Sequence, residues 1–180
     1  MIRILQLLKK RRSIRKYKED KLTSAEIDQL IKAVLLSPSS RNRRPWEFIC
    51  VDDRNLLKEL SQSKQSGSAF LEDAAMGIIV LADPHENDVW VEDTSIAAII
   101  LQLTAQSLNL GSCWIQIRGR YHGPAVTSEE YVKKVLEIPG KYRVESIIAI
   151  GHPAENKPPH DEGQLEYRKV HIGHFGNHYR

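Results

Sequence analysis

Two short segments near the N-terminus carry the residues best suited to binding chemistry. The first is Arg-Arg-Ser-Ile-Arg at residues 11–15, and the second is Pro-Ser-Ser-Arg-Asn-Arg-Arg-Pro-Trp at residues 38–46. Arginine forks match pairs of phosphate oxygens, and serine hydroxyls and loop N–H groups can satisfy the remaining oxygens. Neither segment pairs a nucleophile with a base. The chemistry they indicate therefore belongs to a bound cofactor, with the protein supplying position and charge.

Each segment also has an ordinary explanation. The stretch Lys9 to Lys21 holds eight positive residues in thirteen, which is typical of a solvated, charged junction. Pro-Ser-Ser followed by Asn is a common helix stop and turn. In the second segment, however, Asn42 can donate to and accept from the edge of a heterocycle, and Trp46 offers an aromatic wall. Together the two segments favour a phosphate-bearing heterocycle.

Charge is distributed unevenly along the 180 residues. Residues 1–54 carry 14 Lys/Arg against 7 Asp/Glu, whereas residues 55–180 carry 12 against 16. Such a division favours an anionic ligand near the N-terminal third over a uniformly basic nucleic-acid binder. A length of 180 residues with 41% hydrophobic content predicts one domain with its own core.

Other classes of function find little support in the sequence. The longest apolar run, 74–82, is too short to span a bilayer, and the N-terminus lacks the pattern of a secretory signal. Cys50 and Cys113 form no CxxC pair and are predicted to be reduced core residues of a cytoplasmic protein. No GxGxxG or P-loop motif occurs. The tail histidines 171, 174 and 178 lack a local Cys, Asp or Glu partner, so no metal site is predicted.

The pattern of apolar residues predicts alternating helices and strands. Capping boxes at Thr23 and Thr127 mark two helix starts, and Gly111 is predicted to cap the longest helix. That helix is apolar nearly all round over 96–101, so it needs cover on every side, within the fold or at a subunit interface. We expect helices at 2–8, 23–36, 55–63, 93–110 and 127–136, and strands at 46–51, 76–82, 112–118 and 144–150.

With these motifs in this order, the chain resembles the FMN-dependent nitroreductase-like flavoproteins over about residues 3–153. Arg-x-Ser-x-Arg and Pro-Ser-Ser-x-Asn-x-x-Pro-Trp are similar to that family's two flavin motifs. The helix at 93–110 with Gly-Ser-Cys-Trp-Ile at 111–115 resembles its central dimer helix and the strand that follows. Segments 136–139 and 148–153 resemble its closing helix and strand.

The resemblance implies a fold, an assembly and an activity. The fold is a single α+β domain, a mostly antiparallel sheet flanked by helices, in an interlocked homodimer with two interfacial FMN sites. Residues 1–153 form the FMN-binding domain and residues 154–180 a tail that packs on the partner subunit. The implied activity is that of an FMN-dependent NAD(P)H oxidoreductase. It reduces a small organic acceptor, such as a nitro compound or quinone, by ping-pong hydride transfer.

The resemblance also assigns roles to individual residues. Arg11 and Ser13, with Arg12, hold the FMN phosphate, and Arg15 faces N1 and the C2 carbonyl of the ring. Ser39, Ser40 and Asn42 approach from the partner, and a backbone N–H in the stretch 114–116 meets N5. No side chain acts as catalytic acid or base. The implied cofactor-binding residues are Arg11, Arg12, Ser13, Arg15, Ser39, Ser40, Asn42, Arg44, Trp114, Ile115 and Gln116.

Three departures from the family pattern bear on the substrate. Arg44 replaces a frequent glutamine, and the glycine-rich stretch after the Trp-Ile position is replaced by Gln-Ile-Arg at 116–118. Asp83 leads almost directly into the long helix, so the helical cover of larger relatives is missing. The tail cations Lys157 and Arg168 are further candidates for the phosphate.

Two alternatives from other classes remain open. One is a flavin-binding module, a store or sensor, that has lost turnover; the missing cover and the extra arginines suggest it. The other is a small basic nucleic-acid binder, suggested by Lys9 to Lys21 alone.

Overall fold

Four strands form one antiparallel sheet in a computed structural model that describes residues 4–180. They are β1 (Trp46–Val51), β2 (Met76–Ala82), β3 (Gly111–Gln116) and β4 (Arg143–Gly151), in the spatial order β1-β2-β4-β3. The predicted strands at 46–51 and 76–82 are confirmed to the residue, and the other two within two residues. Both central strands, β2 and β4, are buried along nearly their whole length, and β2 coincides with most of the apolar run at 74–82.

Five helices flank the sheet. The capping boxes at Thr23 and Thr127 are confirmed, each threonine accepting from the backbone of a glutamate three residues on. The start of the predicted first helix, residues 2–3, lies outside the described residues. The helices are α1 (Ile4–Lys10), α2 (Ser24–Leu35), α3 (Arg54–Ser61), α4 (Trp90–Ser107) and α5 (Ser128–Val135), with short 3-10 turns at Ser40–Asn42, Ala69–Asp73, Glu162–Gln164 and Tyr167–Lys169.

The sheet is covered on both faces, which confirms the α+β prediction. Helices α2 and α4 bury Leu30, Val34 and Leu101 against one face. Helices α3 and α5 bury residues such as Leu57 and Val132 against the other. These two cores cover the faces of the sheet, and the N-terminal segment lies at its β3 edge.

The predicted cap of α4 is wrong. The helix ends at Ser107, and Asn109 rather than Gly111 has the left-handed backbone (φ 60°) after it. Asparagine tolerates this conformation because its short polar side chain bonds locally. Gly111 instead begins β3, where a Cβ atom would lie 2.8 Å from the Cγ2 of Ile14. Its missing side chain therefore admits the N-terminal segment to the edge of the sheet.

Burial confirms one cysteine prediction and overturns the other. Cys113 is buried, but Cys50 is exposed, because it lies on the edge strand β1.

The predicted cover of α4 is also incomplete within one chain. Ile96 and Ile99 remain 39% and 38% exposed, so one apolar stripe of the helix faces outward.

Candidate cofactor-binding site

The first segment is fixed against the open edge of β3. Ser13 forms a parallel bridge with Ser112, and the Ile14 N–H donates to the Ser112 carbonyl at 3.0 Å. Ile14 is buried in the core, so its neighbours Ser13 and Arg15 point away from it. The packing thus presents a hydroxyl and a guanidinium beside the strand edge.

The start of the tail adds charge to this segment. The Lys157 ammonium donates to the Ser13 carbonyl at 2.5 Å and lies 3.4 Å from a Glu155 carboxylate oxygen. Glu155 also accepts the Arg15 backbone N–H at 2.6 Å, and this hydrogen bond is the main reason that the pKa of Glu155 is lowered. Of the two tail cations considered from sequence, Lys157 lies at the first segment.

The other predicted cations of this region have different partners. The Arg12 guanidinium donates to the Pro158 carbonyl, so it ties the tail to the first segment. The Arg168 carbonyl accepts from the His178 ring within the C-terminal hairpin, at 2.7 Å. Arg168 therefore belongs to a different part of the tail from Lys157.

The free edge of β3 presents unused backbone donors. Within the described residues this strand pairs with β4 alone, apart from the bridge to Ser13. Ile117 donates to the Glu145 carbonyl of β4, whereas Ser112 faces the first segment. Because backbone groups alternate in direction along a strand, the N–H groups of Trp114 and Gln116 point to the open edge.

Side chains hold this part of β3 in place. The Trp114 indole N–H donates to Gln116 Oε1 at 2.9 Å, and Gln116 Nε2 donates to the Arg118 carbonyl at 3.1 Å. Ile115, between them, is buried in the opposite core. The outward N–H of Gln116 consequently has a defined position.

The second segment is a strained loop. Arg41, Asn42 and Arg44 have left-handed backbones, with φ values of 52°, 54° and 51°. For residues other than glycine this region costs about 1–3 kcal/mol each, and such residues cluster at functional sites. The Arg44 N–H donates to the Ser39 hydroxyl at 2.8 Å, and its Nε donates to Asn42 Oδ1 at 3.0 Å.

A buried aspartate that the sequence analysis missed anchors this loop. Asp93, in the first turn of α4, is 2% exposed and accepts the Ser40 N–H at 2.8 Å. Its second oxygen accepts the Asn87 amide at 2.6 Å. An acidic residue in the first turn of a helix was the available signal. Its partners were not visible in the sequence.

The two predicted flavin segments lie at opposite corners of the sheet. Ser13 lies beside Ser112, which is level with Ile150 and Met76. The second loop leads into Trp46, which is level with Ala82 at the other end. Six residues of strand and three strand spacings separate these corners by roughly 25 Å. One chain therefore places the first segment and the stretch 114–116 along the β3 edge, and residues 39–44 at the β1 edge on the far side of the sheet, three strand spacings or roughly 14 Å away.

The first segment and the β3 edge fit the FMN that the resemblance predicts. Arg11, Ser13 and Lys157 gather donors at one end, and the free Gln116 N–H lies roughly 13 Å along the strand. That arrangement suits an elongated ligand with an anionic end and a ring whose edge accepts a hydrogen bond. The orphan donor at Gln116 is the observation that favours the fit.

Comparisons with known proteins identify the family to which the chain belongs. The Nitroreductase family profile matches residues 8–67 and 56–152. An FMN-dependent nitroreductase structure from Clostridium difficile R20291 has a TM-score of 0.94 at 46% identity, covering 95% of this chain and 99% of that chain. An Archaeoglobus fulgidus protein, provisionally named NADH dehydrogenase/NAD(P)H nitroreductase, is 35% identical over 157 residues, 85% of this chain and 87% of that protein. The chain belongs to the nitroreductase family.

A further relative of this nitroreductase-family chain is an FMN reductase (NAD(P)H) from Bacillus subtilis. It is 26% identical over 177 residues, which are 86% of this chain and 68% of that protein. In this chain only residues 83–89 connect β2 to α4, which is consistent with the predicted loss of a helical cover. The nitroreductase fold is thus present here with a short connection at this point.

Two titratable groups in this part of the chain have shifted pKa values. Burial raises the pKa of the Cys113 thiol, although Arg15 and Lys157 oppose the shift. The thiol is therefore poorly suited to act as a nucleophile. Burial, with Arg120 nearby, lowers the pKa of Lys64, a second residue that the sequence analysis missed.

Neither a metal cluster nor a membrane span is found in the part of the chain that the structure describes. Among residues 4–180 no three His, Cys, Asp or Glu side chains converge on one point. The His171 and His178 rings face each other across the C-terminal hairpin at 4.8 Å between centroids. In the same range, each helix is too short or too polar to cross a membrane.

Proposed function

We propose that this nitroreductase-family enzyme binds FMN and uses NAD(P)H to reduce a small organic acceptor by a ping-pong mechanism. The outward N–H of Gln116, on the same strand edge as the cationic first segment, is the observation that carries the proposal. Relatives named as FMN-dependent nitroreductase and FMN reductase support the choice of cofactor and donor. Bound FMN supplies the hydride chemistry, with donor and acceptor using one slot in turn.

The protein's own residues bind and orient the cofactor. Arg11, Ser13 and Lys157 hold the phosphate, with Arg12 as a neighbour that also ties down the tail. Arg15 faces the pyrimidine edge, where its positive charge stabilises negative charge on the ring. The backbone along Trp114, Ile115 and Gln116 lies beside the ring, and the Gln116 N–H meets N5.

The second loop, with Ser39, Ser40, Asn42 and Arg44, completes the site from a partner subunit. Within one chain, β2 and β4 and three strand spacings, roughly 14 Å, separate it from the β3 edge where the ring is proposed to bind. Exposed apolar side chains supply the surface that such a dimer needs. They include Ile96 and Ile99 of α4, Leu5 of α1, Leu36 after α2 and Phe175 of the tail.

We infer that the chain has two parts in this dimer. Residues 1–153 form the FMN-binding domain, and residues 154–180 form a tail that reaches the partner. The tail begins on its own chain, where Lys9 accepts the His160 N–H at its carbonyl and pairs with Glu162 at 2.9 Å. Beyond residue 169 the hairpin exposes Ile172 and Phe175, which are available to the partner.

A flavin-binding module without turnover is the second candidate. The short 83–89 connection and the arginines at 43–44 favour it, because they alter the space where an acceptor must bind. NAD(P)H oxidation by the purified holoprotein separates the two: an enzyme oxidises excess NAD(P)H when an acceptor is present, and a store or sensor does not.

The absorption spectrum of the purified protein tests the cofactor assignment. We expect the bands of oxidised flavin, bleached by NAD(P)H and restored by a quinone or nitro compound. Denaturation should release FMN in a ratio near one per chain. A colourless protein that fails to bind added FMN overturns the proposal.

A further inference from the structure

Glu145 is a buried carboxyl that the proposed function leaves unused. It lies on β4, is 4% exposed, and its Oε2 atom has no hydrogen-bond partner within residues 4–180. Arg118 Nε lies 4.0 Å from that oxygen, which is too far for a hydrogen bond. A buried carboxylate oxygen without a partner is costly, so the position calls for an explanation.

A β-bulge aims this side chain at the end of β3. The register between β2 and β4 shifts so that Val80 pairs with Ser146 and Leu81 with Val144, which leaves Glu145 without a partner on β2. Its carbonyl accepts the N–H groups of both residues that follow β3, at 3.1 and 3.0 Å. Bulges commonly re-aim a side chain beside a functional site.

Glu145 contacts the residue that presents the orphan N–H. Its Oε1 lies 3.4 Å from Gln116 Nε2, and Gln116 in turn accepts from the Trp114 indole. Glu145 is thus in contact with the side chain of Gln116, whose backbone faces the open edge of β3. The carboxyl therefore lies next to the part of β3 where the ring is proposed to bind.

The charged groups around Glu145 come from three elements. Burial raises its pKa, while the Gln116 amide and Arg118 oppose the shift. Glu129 of α5 and Glu92 of α4 add to the increase. Glu129 is itself paired with Arg143 at 2.7 Å, which limits its effect. Glu145 consequently keeps its proton to a higher pH than an ordinary glutamate.

We propose that Glu145 is a positioning residue for the cofactor ring, which fixes the outward N–H through Gln116 and takes up a proton when the ring is reduced. The inference rests on the proposed function. Hydride transfer from NAD(P)H adds two electrons and one proton to FMN and leaves one negative charge. That charge raises the proton affinity of the Glu145 carboxylate, which takes a proton from water and becomes neutral.

The pH dependence of the FMN reduction potential tests this coupling. The holoprotein is titrated between pH 5 and 9 as wild type, as Glu145→Gln and as Glu92→Gln, a control that removes an exposed acid near the same site. We expect Glu145→Gln to favour the reduced form about tenfold over wild type at pH 9. The difference should narrow toward pH 5, and Glu92→Gln should keep the wild-type pH dependence with only a small displacement toward lower pH, because Glu92 adds to the increase in the pKa of Glu145. Parallel profiles of wild type and Glu145→Gln overturn the inference.

The wild-type holoprotein provides a measurement that needs no variant. Above the pH at which the reduced ring becomes a monoanion, coupled uptake by Glu145 makes the potential fall more steeply with pH than uptake of one proton allows. A one-proton slope from pH 5 to 9 overturns the inference even if Glu145→Gln does not fold. Bound FMN with such a slope leaves the proposed function intact. Failure to bind FMN overturns both.

Discussion

Asp93 accepts the backbone N–H of Ser40 at 2.8 Å and thereby ties the second predicted flavin loop to the first turn of α4. The loop contains three left-handed residues that are not glycine, and such backbone persists only where its surroundings hold it. A carboxylate at a helix N-terminus is also favoured by the helix dipole. The geometry of the loop therefore depends on a residue about fifty positions along the chain.

Asp93→Asn should lower the free energy of unfolding by about 1–3 kcal/mol, because an amide cannot accept both hydrogen bonds. The loop should then lose its fixed geometry, so FMN binding should weaken as well. Urea denaturation and FMN titration measure the two effects. Glu92→Gln changes an exposed acid in the same turn and should stay within about 0.5 kcal/mol of wild type. Equal stability of Asp93→Asn and wild type would contradict the anchoring role.

Arg11→Ala and Ser13→Ala should each weaken FMN binding about tenfold or more, since each removes a hydrogen bond to a charged phosphate. Flavin content after purification and titration of the apoprotein provide the measurement. Lys9→Ala is the matched control, a cation two residues away that pairs with Glu162 instead. Full flavin content in the Arg11/Ser13 double variant would show that the phosphate binds elsewhere.

Arg15→Gln should retain the flavin but lower its reduction potential, because the positive charge that stabilises the reduced ring is lost. Redox titration of the holoprotein measures the change. The neighbouring exposed residue Lys16 provides a control, because Lys16→Gln should leave the reduction potential unaltered. An unchanged or higher potential in Arg15→Gln would mean that this guanidinium does not face the ring.

Mixing two inactive variants tests the shared site. Ser13→Asp and Asn42→Asp each place negative charge against the cofactor, one from each proposed half-site. Random co-refolding should give heterodimers in about half the dimers, each with one intact site and partial activity. Each variant refolded alone is the control. No recovery on mixing, or a monomer that keeps FMN in sedimentation, would refute a site built from two chains.

Glu145→Gln should stabilise the apoprotein in a pH-dependent way. Folding raises the pKa of Glu145. At pH values between its pKa in the unfolded state and its higher pKa in the native state, the native protein therefore binds more protons than the unfolded protein. Stability then falls as pH rises through this window, by about 1.4 kcal/mol for each unit of pKa increase. Thermal unfolding should show a gain for Glu145→Gln at pH 8 and none at pH 3. An equal gain at both pH values would indicate packing rather than ionisation.

The sequence by itself determined the elements and the fold. Local patterns predicted β1 and β2 to the residue and both capping boxes, because hydrophobic period and capping act within a few residues. Motif order indicated the nitroreductase family. Two local predictions were wrong. The left-handed residue after α4 is Asn109 rather than Gly111, and Cys50 is exposed because strand order places β1 at an edge.

Only the tertiary structure decided how the site residues relate to one another. The pairing of strands puts Ser13 at one corner of the sheet and the loop before Trp46 at the opposite one. An acidic residue in the first turn of α4 is a local signal for Asp93, but neither its partner Ser40 nor the bulge that aims Glu145 at Gln116 is visible in the local sequence. Each depends on contacts between residues about thirty to fifty positions apart, and such contacts are set by sheet register and helix packing rather than by neighbouring residues.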